Sequence, residues 1–169
     1  MTQYFQYGKK ELAHLQAADK KLSALIEQIG LIKRPVIPDL FTALVRSIVG
    51  QQISSKACQT VWQRIINKLG TITPSVIYAL SIEELQGFGI SFRKANYIHS
   101  AAQEIITGNL DLNLLHNLSD KEVCAKLTKL NGVGIWTAEM LMIFSMQRPN
   151  ILSWGDFAIQ KGLRILYQI

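Results

Sequence analysis

Twice along this chain the same punctuation occurs: a Ser-x-x-Glu pair, Leu-x-Gly-x-Gly-Ile, then a longer apolar-periodic run. The copies are Ser81 and Glu84 with Leu85-Gln-Gly-Phe-Gly-Ile90, and Ser119 and Glu122 with Leu130-Asn-Gly-Val-Gly-Ile135. Ser followed three places later by Glu is a capping box, which satisfies orphan amides at a helix start. The paired glycines permit positive φ or a close approach to the backbone, so each copy reads as helix, tight hairpin, helix. Two copies with so long a period do not make a solenoid.

The remainder keeps the helical period. Leu12, Leu15, Leu22, Leu25, Ile26 and Ile29 are spaced for one bent helix or two short ones, with Asp19 as a cap between and Gly30 as a stop. Residues 33–38, Lys-Arg-Pro through Pro38, form a linker that no helix can cross. Asp39 then caps a run with Leu40, Phe41, Leu44, Val45, Ile48 and Val49, ending at Gly50. Ser54 or Ser55 starts the next, with Ala57, Cys58, Val61, Trp62, Ile65, Ile66 and Leu69 inward and Gly70 at its end. Trp62 belongs to that core stripe. Thr73 and Pro74 open a short helix as N-cap and first helical residue. No sustained period-2 alternation appears, so the expected fold is all-α, about nine or ten short helices in two small lobes with a cleft between them. Residues 1–38 read as an N-terminal helical arm and 39–169 as the domain that carries the hairpins.

With 49% apolar residues a packed core is available. The 18 basic against 12 acidic residues leave a net charge of +6, which suits a polyanionic partner without requiring one. Cys58 and Cys124, the only cysteines, are too few and too dispersed for a disulfide framework or a structural zinc site, which favours a reducing, intracellular setting. The first ten residues hold no apolar signal core, and no apolar run approaches the roughly 20 residues of a membrane span.

Residues 130–161, LNGVGIWTAEMLMIFSMQRPNILSWGDFAIQK, concentrate the chemistry. Gly132 and Gly134 bracket a turn; the helix expected over 137–146 puts its free amides into that turn, an anion-binding arrangement. Met140, Ile143 and Phe144 share a face of that helix, Pro149 and Asn150 break it, and Gly155-Asp156 precedes a further helical run. A lone Gly-x-Gly is commonly an ordinary turn, and an Asp before a helix is commonly a cap. Together with Trp136 and Thr137 after the hairpin, and with Ser47-Ile-Val-Gly-Gln-Gln-Ile-Ser54 upstream, the set resembles the helix-hairpin-helix superfamily of base-excision DNA glycosylases, nearest the alkylation-repair (3-methyladenine) type. The resemblance covers residues 41–164, with three separated motifs in the family's order.

The resemblance implies a monofunctional glycosylase that flips an alkylated purine out of double-stranded DNA and hydrolyses its N-glycosidic bond. The backbone at Gly132 and Gly134 with Thr137 would grip phosphate. Gln52 matches the side chain that fills the gap left by the flipped base; Gln51 either shares that task or hydrogen-bonds within its own turn, and Ser54 lies in the same segment. Asp156 would either stabilise the oxocarbenium-like sugar or orient and deprotonate the attacking water. Its place before a helix favours the ionised form. Strand-cutting relatives carry a Schiff-base lysine where this chain has Trp136, so the strand should stay intact. That indole can stack on a cationic base, and Met140, one turn on, either joins the pocket or packs in the core. Lys161 and Arg164 either touch phosphate or form a solvated basic face. A structural Na⁺ or K⁺ on the carbonyls of Thr128, Leu130 and Val133 is implied by the resemblance alone. An iron-sulfur cluster, which needs four cysteines, is not expected.

Relatives continue through further helices, whereas Ile169 lies thirteen residues past Asp156. The expectation is thus that the family's C-terminal helices are missing and the Asp156 helix is thinly buttressed. Two other readings stay open: a helix-hairpin-helix module that grips DNA without cutting it, and a glycosylase for deaminated or mismatched bases. Either way the expected setting is a monomer in the cytoplasm, on the nucleoid if bacterial, or in the nucleus.

Overall fold

A computed structural model of the chain describes residues 2–169. Among these residues ten α-helices follow one another: α1 (Lys9–Ala18), α2 (Lys20–Ile29), α3 (Leu40–Gly50), α4 (Ser55–Leu69), α5 (Pro74–Tyr78), α6 (Ile82–Gln86), α7 (Phe92–Ile106), α8 (Asp120–Leu127), α9 (Ile135–Phe144) and α10 (Phe157–Tyr167). A 3₁₀ turn at Leu114–Asn117 was not evident from periodicity. The only strands among the described residues are β1 (Gln3–Tyr4) and β2 (Pro35–Val36), antiparallel, with Gln3 opposite Val36. The all-α expectation holds, and no helix is long and apolar enough to cross a membrane among the described residues.

Helix starts are fixed locally. Asp19 and Asp39 accept from Leu22 N and Thr42 N at 2.9 and 2.7 Å. Ser54 and Thr73 each accept from the amide three residues on at 3.2 Å. Both capping boxes form, with Glu84 and Glu122 accepting from Ser81 N and Ser119 N at 2.8 and 2.9 Å. Each such cap stabilises its helix by about 1 kcal/mol.

The centre of the molecule is α3. Seven of its eleven residues are buried, Ile48 and Val49 completely, so it must be enclosed on most sides. It packs against α4, α7 and α9. Val61, Trp62 and Ile65 face it from α4, whereas Ala57, expected inward, lies exposed in that helix's first turn. By contrast α1, α2 and α10 contain no fully buried residue. α10 is tied to α2 by polar contacts: Tyr167 Oη donates to Asp19 Oδ2 at 2.7 Å, and Lys21 Nζ lies 5.6 Å from the Tyr167 ring centroid.

The two hairpins pair α6 with α7 and α8 with α9, but not in the register that their matching letters suggest. In the first copy Gly87 is right-handed and closes α6, while Gly89 takes φ +94°. In the second, Gly132 takes φ +80° and Gly134, at φ −88°, is the N-cap of α9. Gly89, Ile90 and Ser91 therefore correspond to Gly132, Val133 and Gly134. The left-handed residue and the buried side chain after it, Ile90 or Val133, set the register. With Gly134 as cap, the second helix starts at Ile135, two residues earlier than expected, and stops at Phe144, where the chain turns away through left-handed Gln147 and Asn150.

Candidate nucleic-acid interface and base pocket

The second hairpin leaves a helix start open. Gly134 caps α9 without a side chain, and the N–H groups of Ile135, Trp136 and Thr137 donate to no group among the described residues. In the first hairpin Ser91 Oγ occupies the matching place, accepting from Lys94 N at 3.4 Å. The second copy thus offers three free amides with the positive end of a helix behind them and no side-chain cap, the arrangement that binds phosphate, whereas in the first Lys94 N is capped and the Phe92 and Arg93 N–H groups alone are left. A Cβ on Gly134 would meet nothing within 4 Å, so its backbone is open to approach. Thr137 is 5% exposed. Its hydroxyl has no partner, yet no buried side-chain polar atom is unpaired among the described residues, so that hydroxyl reaches solvent. Beside it the carbonyls of Thr128 and Val133 accept no hydrogen bond, and that of Leu130 accepts only Val133 N, at 3.1 Å. Such neutral oxygens fit a monovalent cation.

Behind the hairpin a cavity of about 390 Å³ opens between α3 and α9. Trp136, Met140 and Phe144 form one wall, and Ala43, Arg46, Ser47 and Gly50 the other, with Gln51 and Gln52 at an end. Largely apolar walls with a few polar groups are typical of a pocket for a planar ligand. On α9, buried Thr137, Ala138, Leu141 and Met142 hold the core, which frees Met140 for the cavity. Arg46, a lining residue with no local sequence signal, has its guanidinium 5.4 Å from the Trp62 ring centroid.

Asp156 stands beside this cavity without lining it. Trp136 Nε1 donates to its Oδ2 at 2.7 Å, and its Oδ1 accepts from Ala158 N and Ile159 N at 2.8 and 3.1 Å. The indole and then the α10 amides hold its carboxyl below the usual carboxylate range. The loop before it is pinned by buried Ser153, whose Oγ donates to Glu139 Oε2 and whose carbonyl accepts Asp156 N at 3.0 Å. Because the indole is the largest cause of the lowered pKa, Trp136→Phe should raise it. The acid limb of a pH–activity profile would then move to higher pH, and an unmoved limb would contradict this pairing.

The other predicted residues are distributed around these two features. Gln51 turns inward, its Nε2 donating to Gly132 O at 2.8 Å, while Gln52 is exposed at φ +55°. Ser54 caps α4. Lys161 is exposed on α10 with no ion pair among the described residues. Lys94, Tyr97, Glu139 and Ser153, which hold these parts together, gave no local signal because their partners are distant in sequence.

Comparison with known proteins places the same features in context. The family model for HhH-GPD superfamily base excision DNA repair proteins matches residues 45–169. The chain is 30% identical over 164 residues to DNA-3-methyladenine glycosylase 1 of Schizosaccharomyces pombe, spanning 92% of this chain and 72% of that protein. It superposes on a DNA-3-methyladenine glycosidase of Bacillus halodurans with a TM-score of 0.85 and 37% identity, over 98% of this chain and 77% of that one. A Schizosaccharomyces pombe 3-methyladenine DNA glycosylase in complex with abasic DNA gives a TM-score of 0.82 and 30% identity, over 95% and 81%.

Proposed function

The chain belongs to the HhH-GPD superfamily of base excision DNA repair proteins, and from that premise we infer that it is a DNA glycosylase of the alkylation-repair type, which hydrolyses the N-glycosidic bond of alkylated purines. The observation that carries the reading is the Trp136–Asp156 bond, which joins the wall of a base-sized cavity to an ionised carboxylate beside an open helix start.

In this reading the α9 amides and the Thr137 hydroxyl hold a backbone phosphate, and a cation on the Thr128, Leu130 and Val133 carbonyls would add positive charge there. The damaged nucleotide swings out, at a cost of a few kcal/mol that is smallest for damaged bases, and Gln52 fills the gap. The base enters between α3 and α9 against Trp136. As the C1′–N bond breaks, its electron pair leaves with the base and the sugar becomes cationic. Water then forms the new bond at C1′ and gives up a proton to the surrounding water. Three hydrogen bonds keep Asp156 ionised, which suits it to stabilise that cation and makes it a weak base. Trp136 has no amine for a Schiff base, so the product is an abasic site in an uncut strand.

The test is to incubate the protein with methylated duplex and with uracil-containing duplex, chromatograph the released bases, and run the strands on a denaturing gel before and after alkali. Release of 3-methyladenine with breaks only after alkali is expected. No released base would favour a DNA-binding module, uracil release a deaminated-base enzyme, and breaks without alkali would contradict the role given to Trp136.

A further inference from the structure

The turn after α3 is held by groups that neither the phosphate grip nor the carboxylate uses. Lys94, from α7, donates through Nζ to Val49 O at 2.8 Å and to Gln51 O at 2.7 Å. These carbonyls lie at the C-terminal end of α3, where the helix dipole favours a cation. Burial pushes the Lys94 ammonium below the usual lysine range, a cost that two charge-assisted bonds offset. In the structural register Lys94 is the third residue of α7, as Thr137 is of α9. It points to the turn, whereas the Thr137 hydroxyl remains free.

From the other side Gln51 Nε2 donates to Gly132 O at 2.8 Å. Tyr97, also on α7, packs so closely on Gly132 that a Cβ there would lie 2.1 Å from the ring. A closed circuit therefore runs from α7 through the turn to the hairpin and back to α7. The next residue along the chain is Gln52, exposed and at φ +55°, a conformation uncommon for a residue other than glycine.

We propose that Lys94 and Gln51 are positioning residues: they aim Gln52 and fix its separation from the phosphate-binding hairpin, so that backbone grip and gap filling are delivered in one geometry. The proposal rests on the base-flipping glycosylase reading above. It assigns Gln51 to the protein's interior and gives Lys94, a residue of the first hairpin's helix, a part in the reaction without contact with DNA.

Single-turnover base release from methylated duplex and affinity for a duplex with an abasic analogue are measured for wild type, Lys94→Met, Lys94→Arg, Gln51→Ala, Gln52→Ala and the Lys94→Met/Gln52→Ala double variant, with thermal melting alongside. Lys94→Met and Gln51→Ala are expected to slow release by about ten- to a hundredfold, as misplacement of an aligned group does. The α9 amides remain, so abasic-duplex affinity should change far less than the rate. Lys94→Arg should restore most of the rate. In the Gln52→Ala background Lys94→Met should add no further loss, since coupled residues are not additive. Gln51→Ala removes a single side-chain bond and carries the test if Lys94→Met does not fold. Folded variants that release base at the wild-type rate, or losses from Lys94 and Gln52 that multiply, overturn the proposal while leaving the glycosylase reading intact. A wild-type protein that releases no base overturns both.

Discussion

Asp156→Asn lowers the single-turnover rate of base release by about 10²–10³-fold, the loss seen when one preorganised electrostatic group is removed from a transition state. Asparagine keeps the shape and one acceptor oxygen. Its Oδ1 can still take the Ala158 and Ile159 amides, which wild-type Asp156 accepts at 2.8 and 3.1 Å, so α10 retains its cap. With Oδ1 so used, the Trp136 indole, 2.7 Å from Oδ2 in the wild type, faces the amide NH2, a donor, and that hydrogen bond is lost together with the charge. Binding to undamaged duplex and the melting temperature should stay near wild type, since the substitution leaves untouched both the phosphate grip proposed for α9 and the core around α3. A variant that releases base at the wild-type rate would reduce Asp156 to a helix cap.

The second large effect is at Gly132, and it separates from that at Gly134. Gly132→Ala places a Cβ 2.1 Å from Cδ2 of Tyr97 on a residue with φ +80°. Overpacking and a left-handed non-glycine residue each cost about 1–3 kcal/mol, so the hairpin has to rearrange. The melting temperature should fall, and DNA affinity should fall with it because the free amides of α9 begin directly after this turn, at Ile135. Gly134→Ala meets neither obstacle: φ is −88° and nothing lies within 4 Å. Its stability should match wild type, while its methyl group, standing in the proposed path of the phosphate, should weaken DNA binding. Melting curves and salt-dependent binding curves for the two variants check this contrast. Equal stability losses in both would contradict it.

The contrast also marks what can be read from the sequence. Caps are local, so Asp19, Asp39, Ser54, Thr73, Ser81, Ser119 and Asp156 stand where the letters place them, and the Trp136-to-Asp156 stretch does bring a cavity wall and a carboxylate together. The repeat was misaligned by two residues, because a matching string carries no record of which glycine goes left-handed. In Gly87-Phe-Gly89 it is the second, in Gly132-Val-Gly134 the first. Gln51 and Gln52 are chemically identical neighbours, and only the position of Gly132 O decides which turns inward. Lys94 and Ser153 were invisible for the same reason, since each acts on a partner that the fold alone brings near. The helix α10 is legible in part. Its apolar spacing predicts a helix, but its attachment to α2 through Tyr167 and Asp19 needed coordinates.

The central claim is that an ionised Asp156 faces the cation that forms at the sugar while α9 holds the backbone. It is tested most directly by comparing affinities for two duplexes alike except at the abasic site, one bearing a neutral tetrahydrofuran and the other a cationic pyrrolidine. Wild-type protein should bind the pyrrolidine duplex more tightly, and Asp156→Asn should abolish the difference without weakening tetrahydrofuran binding. Equal affinity of the wild type for both, or a preference that survives in the variant, would contradict it.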